Sequence, residues 1–483
     1  MKKVLFLSML LAVSALQAQD SGPRSFTLKE AVDYAIENNN AVKNARIDEQ
    51  KSKARNWEIL TMGLPQVTGN VDYTYYFKTP IVPAFNRFFS DTTGASARVL
   101  SYQAKQDTNI RNILYQSALD SKNQQISFVL PNTLSAGLQL SQLIFDARYL
   151  IGVKATKDLM KTSRLSREMS EQEIRYSVAK AYYQAEAAQE SMSLLGENLK
   201  VIEKLWSDTK AVFAQGLIEE MDVDRLELAK ANLESQINIQ NQMAEVGLAN
   251  LKFQMGMPLG EVIVLKERLN ELKDQAGLPV ENKFDPSARI EYDLLQTAIK
   301  LNGYDVKQKQ SGYAPYMTGF LNYAWTAQTE TFGDIFKRDS QSYPDGSTKK
   351  VSPWYSQGLF GVSLKVPIFD SGMKHAQIKQ AKLEQQKTKN DLDNFKNASL
   401  LQYSAAQSTF NAALSDEVNS KRTLDLSKKI YGKNQIKFTE GVGSSFELSQ
   451  AQQEFTTNQL KYIQSIMNLL NAKADLDKSL GIK

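Results

Sequence analysis

The chain has 483 residues with 58 basic and 53 acidic side chains, a formal charge of +5, no cysteine and a single histidine, His375. Disulfides, thiolate chemistry and cysteine zinc sites are excluded, and a histidine metal site or a Ser-His-Asp triad has only His375 to draw on. Opposite charges are interspersed, so no basic groove for nucleic acid is indicated.

The first residues, MKKVLFLSMLLAVSALQAQD, combine Lys2 and Lys3 with an apolar run from Val4 to Val13 and small residues near Ala18. This predicts a signal peptide over residues 1–18; a buried N-terminal helix is the alternative. The apolar run is too short to span a bilayer, and no other stretch reads as a transmembrane helix. An exported chain of this kind that crosses a membrane must do so with strands.

A helix is expected from about Thr27 to Met62, opened by the capping-box pair Thr27 and Glu30 and stopped by Gly63-Leu64-Pro65. The next segment alternates Val67, Gly69, Val71, Tyr73 and Tyr75 against polar neighbours, and "TLSAGLQLSQ" alternates Leu134, Ala136, Leu138 and Leu140. Later, Met317, Gly319, Leu321, Tyr323 and Trp325 share one face, as do Phe360, Val362 and Leu364. Four such two-faced segments suit a membrane β-barrel, although a half-buried soluble sheet alternates in the same way. Four strands cannot close a barrel, for which about eight is the minimum, so several chains would have to pool them. The long connections 78–130 and 326–357 would be external loops.

Long helices are expected from Ala147 to Ala214 and from Ser371 to Phe438. In the first, Ile174, Val178, Ala181, Ala185, Ala188, Met192, Leu195, Leu199, Ile202, Trp206, Thr209 and Phe213 step by four and three. That is a coiled-coil seam or the stripe of an ordinary bundle. Such a helix is about 100 Å long at ~1.5 Å per residue, too long for a compact core. His375 reads as a solvated residue of the second long helix.

The turn after each long helix repeats. Phe213, Gly216 and Asp222 in "VFAQGLIEEMD" match Phe438, Gly441 and Glu447 in "KFTEGVGSSFE", and Gly256 matches Gly481, all 225 residues apart. "LQLSQLIFD" also matches "VSLKVPIFD" at an offset of 224. The chain therefore divides into a first repeat over 19–257, a linker over 258–284 and a second repeat over 285–483. Each repeat reads as helix, two strands, long helix, turn and returning helix.

The segment from Phe26 to Tyr75, the two "IFD" junctions at Asp146 and Asp370, and the turns at Gly216 and Gly441 together resemble the TolC-like outer-membrane efflux protein family. The resemblance covers essentially the whole mature chain in order. It implies a mixed membrane α+β fold: a trimeric twelve-stranded outer-membrane β-barrel with four strands per chain, continued by a periplasmic α-helical coiled-coil barrel. It implies a passive exit duct for efflux or type I secretion. Its partners would be two further copies of itself, outer-membrane lipid, a periplasmic adaptor, and an inner-membrane pump of the resistance-nodulation-division or ABC type. No cofactor, metal or catalytic site is indicated. The tip turns Gly216, Leu217, Met221, Gly441, Val442 and Phe446 would receive the adaptor. The family's constricting aspartates fall here at Glu447 and Gln450, with Asp222 as first-copy counterpart, so at most one acidic ring is expected. Helix N-terminal capping is the other reading of both acids. The competing functions are a secreted periplasmic coiled-coil adaptor or scaffold without a pore and, more remotely, a hydrolase.

Overall fold

The computed structural model describes residues 24–79, 82–83, 125–126, 129–277, 284–342 and 347–482. The expected signal peptide, most of the loop 78–130 and part of the loop 326–357 lie outside the described residues. In chain order the elements are β1 (Arg24–Phe26), α1 (Leu28–Asn38), α2 (Asn40–Thr61), β2 (Gln66–Tyr75), β3 (Val82–Pro83), β4 (Gln125–Ile126), β5 (Asn132–Phe145) and α3 (Ala147–Phe213). They continue with α4 (Glu220–Met255), β6 (Ile263–Leu265), α5 (Leu269–Ala276), a 3-10 turn (Pro286–Ala288), α6 (Ile290–Ser311), β7 (Tyr316–Thr329) and a second 3-10 turn (Phe332–Phe336). The last are β8 (Asp339–Ser342), β9 (Thr348–Val351), β10 (Trp354–Lys365), α7 (Met373–Thr439) and α8 (Ser445–Leu480). The chain forms two units, each drawing on both halves of the sequence: one from Glu58–Leu150 and Gln310–Lys374, the other from the remaining described residues.

The first unit is built on a four-stranded antiparallel sheet in the order β10-β7-β5-β2. Its register aligns the alternation seen in each strand. Val67, Leu140, Leu321 and Phe360 stand opposite one another, and so do Val71, Ala136 and Trp325. Thr68, Gln139 and Asn322 make a row on the other face. Because residues directly opposite share a face, one face of the whole sheet is apolar and aromatic, and the other is largely polar. The strands β2 and β10 are edges.

Each strand-to-helix junction carries an aspartate that binds free amides. Asp146 accepts the backbone N–H of Arg148 at 2.8 Å and its guanidinium at 2.7 Å. Asp370 accepts the backbone N–H groups of Gly372 and Lys374 at 3.2 and 3.1 Å. An acceptor here satisfies amides that a helix start leaves without partners.

In the helical unit α3 and α7 each have 67 residues, and α4 and α8 each have 36. The predicted seam of α3 is buried at Ile174, Val178, Ala181, Ala185, Ala188, Leu195, Ile202 and Thr209, and half-buried at Met192, Leu199 and Trp206. It packs on Ala31, Ala35 and Val42, on Leu251 and Met255 of α4, and on Ile463, Ile466 and Leu470 of α8. Small seam residues permit close approach: a Cβ on Gly247 would lie 3.2 Å from the Cα of Ala185. His375 is exposed.

Two helices differ from expectation. The helix expected from Thr27 to Met62 does begin with the capping box of Thr27 and Glu30, but it breaks at Asn39. The Asn39 side chain donates to the carbonyl of Gln254 at 2.7 Å and accepts the N–H of Ala41 at 2.7 Å, so it caps α2 and leaves α1. Gly256 fits against this break: with φ of +71°, a Cβ there would lie 2.7 Å from the Cα of Asn39. The second helix, expected from Asp285, starts as a 3-10 turn and becomes α-helical only at Ile290. There Gly481, with φ of +72°, lies against Ala288. Between Gly256 and Asp285 the chain forms β6, parallel to β1, and α5, whose Leu269 and Leu272 enter the core.

Within this core Glu186 is buried, and burial together with the carboxylates of Glu190 and Glu271 pushes its pKa up to about 7, with Arg268 opposing. The folded state therefore binds more protons than the unfolded one between the ordinary carboxylate value of 4.5 and about 7. Stability falls as pH rises through that window, by on the order of 3 kcal/mol. Glu186→Gln is expected to raise the melting temperature of the detergent-solubilised protein at pH 8 and to flatten its pH dependence between 5 and 7.

Candidate functional site

The tips of the two long hairpins lie in the helical unit, and both turns are built alike. Gly216 has φ of +74° and Gly441 φ of +75°. At the first tip the N–H of Gly216 donates to the carbonyl of Phe213 at 2.7 Å, and that of Leu217 to Val212 at 3.4 Å. At the second, Gly441 donates to Phe438 at 3.1 Å and Val442 to Lys437 at 3.0 Å. This paired closure ends a helix with a left-handed residue, where a side chain would strain the backbone. A Cβ at either glycine would meet nothing within 4 Å, so the conformation, not crowding, calls for glycine.

Beyond the turns, apolar side chains face outward. Leu217 is 70% exposed, Met221 51%, Val442 79% and Phe446 56%. Exposure this high on four neighbouring large side chains makes the tip unusual for a soluble surface. Arg225 stacks over the Phe446 ring at 5.3 Å and contacts the sulfur of Met221 at 3.6 Å, joining the two hairpins. Behind the tip Ile202, Leu205, Leu226 and Leu448 form a small core. A cavity of about 730 Å³ between α4 and α8 is lined mainly by polar side chains, among them Asn232, Gln236, Gln450 and Gln453, with Leu228 and Phe446 at its margin.

The acids of the returning helices have separate fates, and neither caps its own helix. Glu219 stands at the start of α4 without a side-chain bond, and Ser444 caps α8 by accepting the N–H of Phe446 at 3.1 Å. Asp222 accepts a short hydrogen bond from the hydroxyl of Ser445, itself buried at the first turn of the other hairpin. Glu447 is exposed and bonds to no described residue, while Gln450 donates to Glu454 at 3.3 Å. Ser445 and Arg225 were not singled out by the sequence: Ser445 acts on a residue 223 positions away. The Met221–Arg225 spacing of four was the one local signal for Arg225.

The outer membrane efflux protein family model matches residues 131–251 and 294–482, more than half of the chain. The chain belongs to this family. Nodulation protein T of Rhizobium leguminosarum bv. trifolii is 21% identical over 431 residues, covering 86% of this chain and 85% of that protein. Outer membrane protein TolC of Escherichia coli K12 is 21% identical over 360 residues, covering 72% and 70%. The fold is that of the Campylobacter jejuni CmeC outer membrane channel, with a TM-score of 0.67, 16% identity, and coverage of 94% of this chain and 85% of that one. The chain is thus an outer-membrane efflux duct, and its family is one of channels and not of enzymes, which sets aside the poreless scaffold. None of its described helices is long and apolar enough to cross a membrane.

The Asp222–Ser445 bond gives a test of tip architecture. Asp222→Ala and Ser445→Ala are each expected to cost about 1–2 kcal/mol, and the double variant little more than the larger single loss. Unfolding of the three variants in one detergent checks this.

Proposed function

We propose that three copies join through their sheet edges into a twelve-stranded barrel, and that their helices form a periplasmic tunnel that conducts cargo passively. The observation that carries this reading is the open four-stranded sheet with one apolar face. In lipid its unpaired edges would each leave a row of backbone groups unsatisfied. Since the strands alternate in direction, β2 and β10 run antiparallel to each other. An edge β2 of one copy can therefore continue the ladder at β10 of the next, and repetition of that contact closes the ring.

Further support comes from apolar residues that one chain leaves uncovered. On α4, Ile239, Met243, Val246 and Phe253 are exposed and step by four, three and seven. This is a coiled-coil seam without an occupant within the chain, and a neighbouring copy would fill it. The matched lengths of the long and returning helices, and the matched seats of Gly256 and Gly481, favour an internal duplication over 19–257 and 285–483. Duplication lets one chain supply two similar segments of wall. An N-terminal signal peptide and a periplasmic position for the helices complete this reading.

The tips Gly216, Leu217, Met221, Gly441, Val442 and Phe446 are proposed to receive a periplasmic adaptor that couples the duct to an inner-membrane pump. Apolar side chains of this exposure are stabilised when a partner covers them. Leu217→Asp combined with Val442→Asp is expected to abolish adaptor cross-linking and export in cells, while the protein still reaches the outer membrane as a heat-sensitive trimer. Valine at Gly216 and Gly441 should have the same effect by distorting the turns. Undiminished export in these variants would remove the tip assignment.

Among the candidate constriction residues only Glu447 presents a free carboxylate; Asp222 is bonded and Gln450 is neutral. Three copies would then form one ring of Glu447. Glu447→Ala is expected to weaken divalent-cation block of single channels in planar bilayers, and Gln450→Ala to leave it unchanged.

A further inference from the structure

We propose that the 3-10 turn Phe332–Phe336 is a lipid anchor, folded back over the outward face of the sheet instead of over the channel mouth. The proposal rests on reading the apolar sheet face as the lipid face.

The last complete row of the sheet before the connections between strands is Tyr73, Leu134, Ala327 and Trp354, whose members stand directly opposite one another. They share a face with Val67, Val71, Leu138 and Leu321, two-residue steps along the same strands. The turn packs on this row. Phe332 meets the Tyr73 ring edge-on at 5.2 Å, and Phe336 meets Phe332 at 5.9 Å. The Trp354 indole donates to the carbonyl of Ile335 at 2.9 Å, and both Ile335 and Ala327 are fully buried. The turn is thus fixed to the apolar side of the sheet, at the end away from the strand-to-helix junctions.

What it presents there is apolar. Phe332 is 52% exposed and Phe336 69% exposed, continuing the aromatic band of Tyr73, Tyr323 and Trp325 on the same face. Several of its polar groups are met locally. Asp334 accepts from Thr331 at 2.5 Å and from Lys337 at 3.1 Å, and the backbone N–H groups of Asp334 and Lys337 donate to Thr331 and Asp334. Irregular backbone is tolerated near hydrocarbon only when so satisfied. Aromatic rings with polar groups at their margin belong at the boundary between hydrocarbon and headgroups. Among possible occupants of this patch, lipid is favoured because the patch is continuous with the face that meets lipid.

The absence of native cysteine allows a clean test. Single cysteines at Phe332, Phe336, Val71 and Thr68 in the full chain are spin-labelled and reconstituted into phosphatidylethanolamine–phosphatidylglycerol vesicles. Collision with oxygen, which partitions into lipid, is compared with collision with a water-soluble nickel chelate. At Phe332 and Phe336 the oxygen-to-nickel ratio is expected to exceed that at Thr68 severalfold and to approach that at Val71 at shallower depth. A ratio as low as that of Thr68, with Val71 still lipid-like, overturns the anchor and leaves the barrel reading intact. A nickel-accessible Val71 overturns the lipid assignment of the face, and the anchor with it. A severalfold drop in the Phe332 and Phe336 ratios on adding a soluble partner would mark a protein-docking site and also overturn the anchor.

Discussion

An unpaired strand edge in hydrocarbon is the constraint on which this architecture turns. Every second edge residue would leave its N–H and C=O without water to bond, at several kcal/mol per group. Among the described residues the main sheet has four strands with edges at β2 and β10, so in the proposed barrel the wall is sealed by other copies. The same dependence appears along α4, where a stripe of large apolar side chains finds no cover inside its own chain. Two kinds of incompleteness, one of hydrogen bonds and one of apolar area, call for the same solution. Both are met at once in the proposed ring, where each copy covers what its neighbour leaves open.

Much of the fold was legible because it is periodic. Period-two alternation fixed which residues share a sheet face, and the register later aligned Val67 with Leu140, Leu321 and Phe360. The four-three step from Ile174 to Thr209 marked the buried seam of α3. What stayed hidden depends largely on contacts distant in sequence. The run Asn38-Asn39-Asn40 carried a local signal for the break that went unread, and the carbonyl of Gln254 and the close seat of Gly256 hold it in place. Tyr182 reads locally as one more amphipathic side chain, yet it is fully buried and donates to the carbonyl of Phe26 at 3.0 Å.

The glycine turns were legible for a different reason. A helix that must reverse needs a left-handed residue, and glycine adopts that conformation without steric penalty. Four helix ends use it, at Gly216, Gly256, Gly441 and Gly481, all with φ between +71° and +75°. The environments then separate them. Gly256 and Gly481 are held against backbone, whereas Gly216 and Gly441 stand in open space. Identical local chemistry therefore serves packing at one end of the returning helices and an exposed surface at the other.

The difference between the two tips follows from one substitution between the equivalent first turns. The first hairpin has Glu220 and Asp222 where the second has Ser445 and Glu447. Had both carried an acid at the first position, neighbouring tips would set carboxylate against carboxylate, and like charges at that distance repel. Serine replaces one of them with a donor, and the donor goes to Asp222. The hydroxyl of Ser445 supplies the donor for this bond, and Asp222 the acceptor. Asp222 is thereby drawn into the structure of the hairpin pair, and Glu447 is left exposed. Of the carboxylates at the matched positions Asp222 and Glu447, the first is bonded across the pair and the second is left to solvent, beside the exposed Glu219 and Glu220 of the first hairpin.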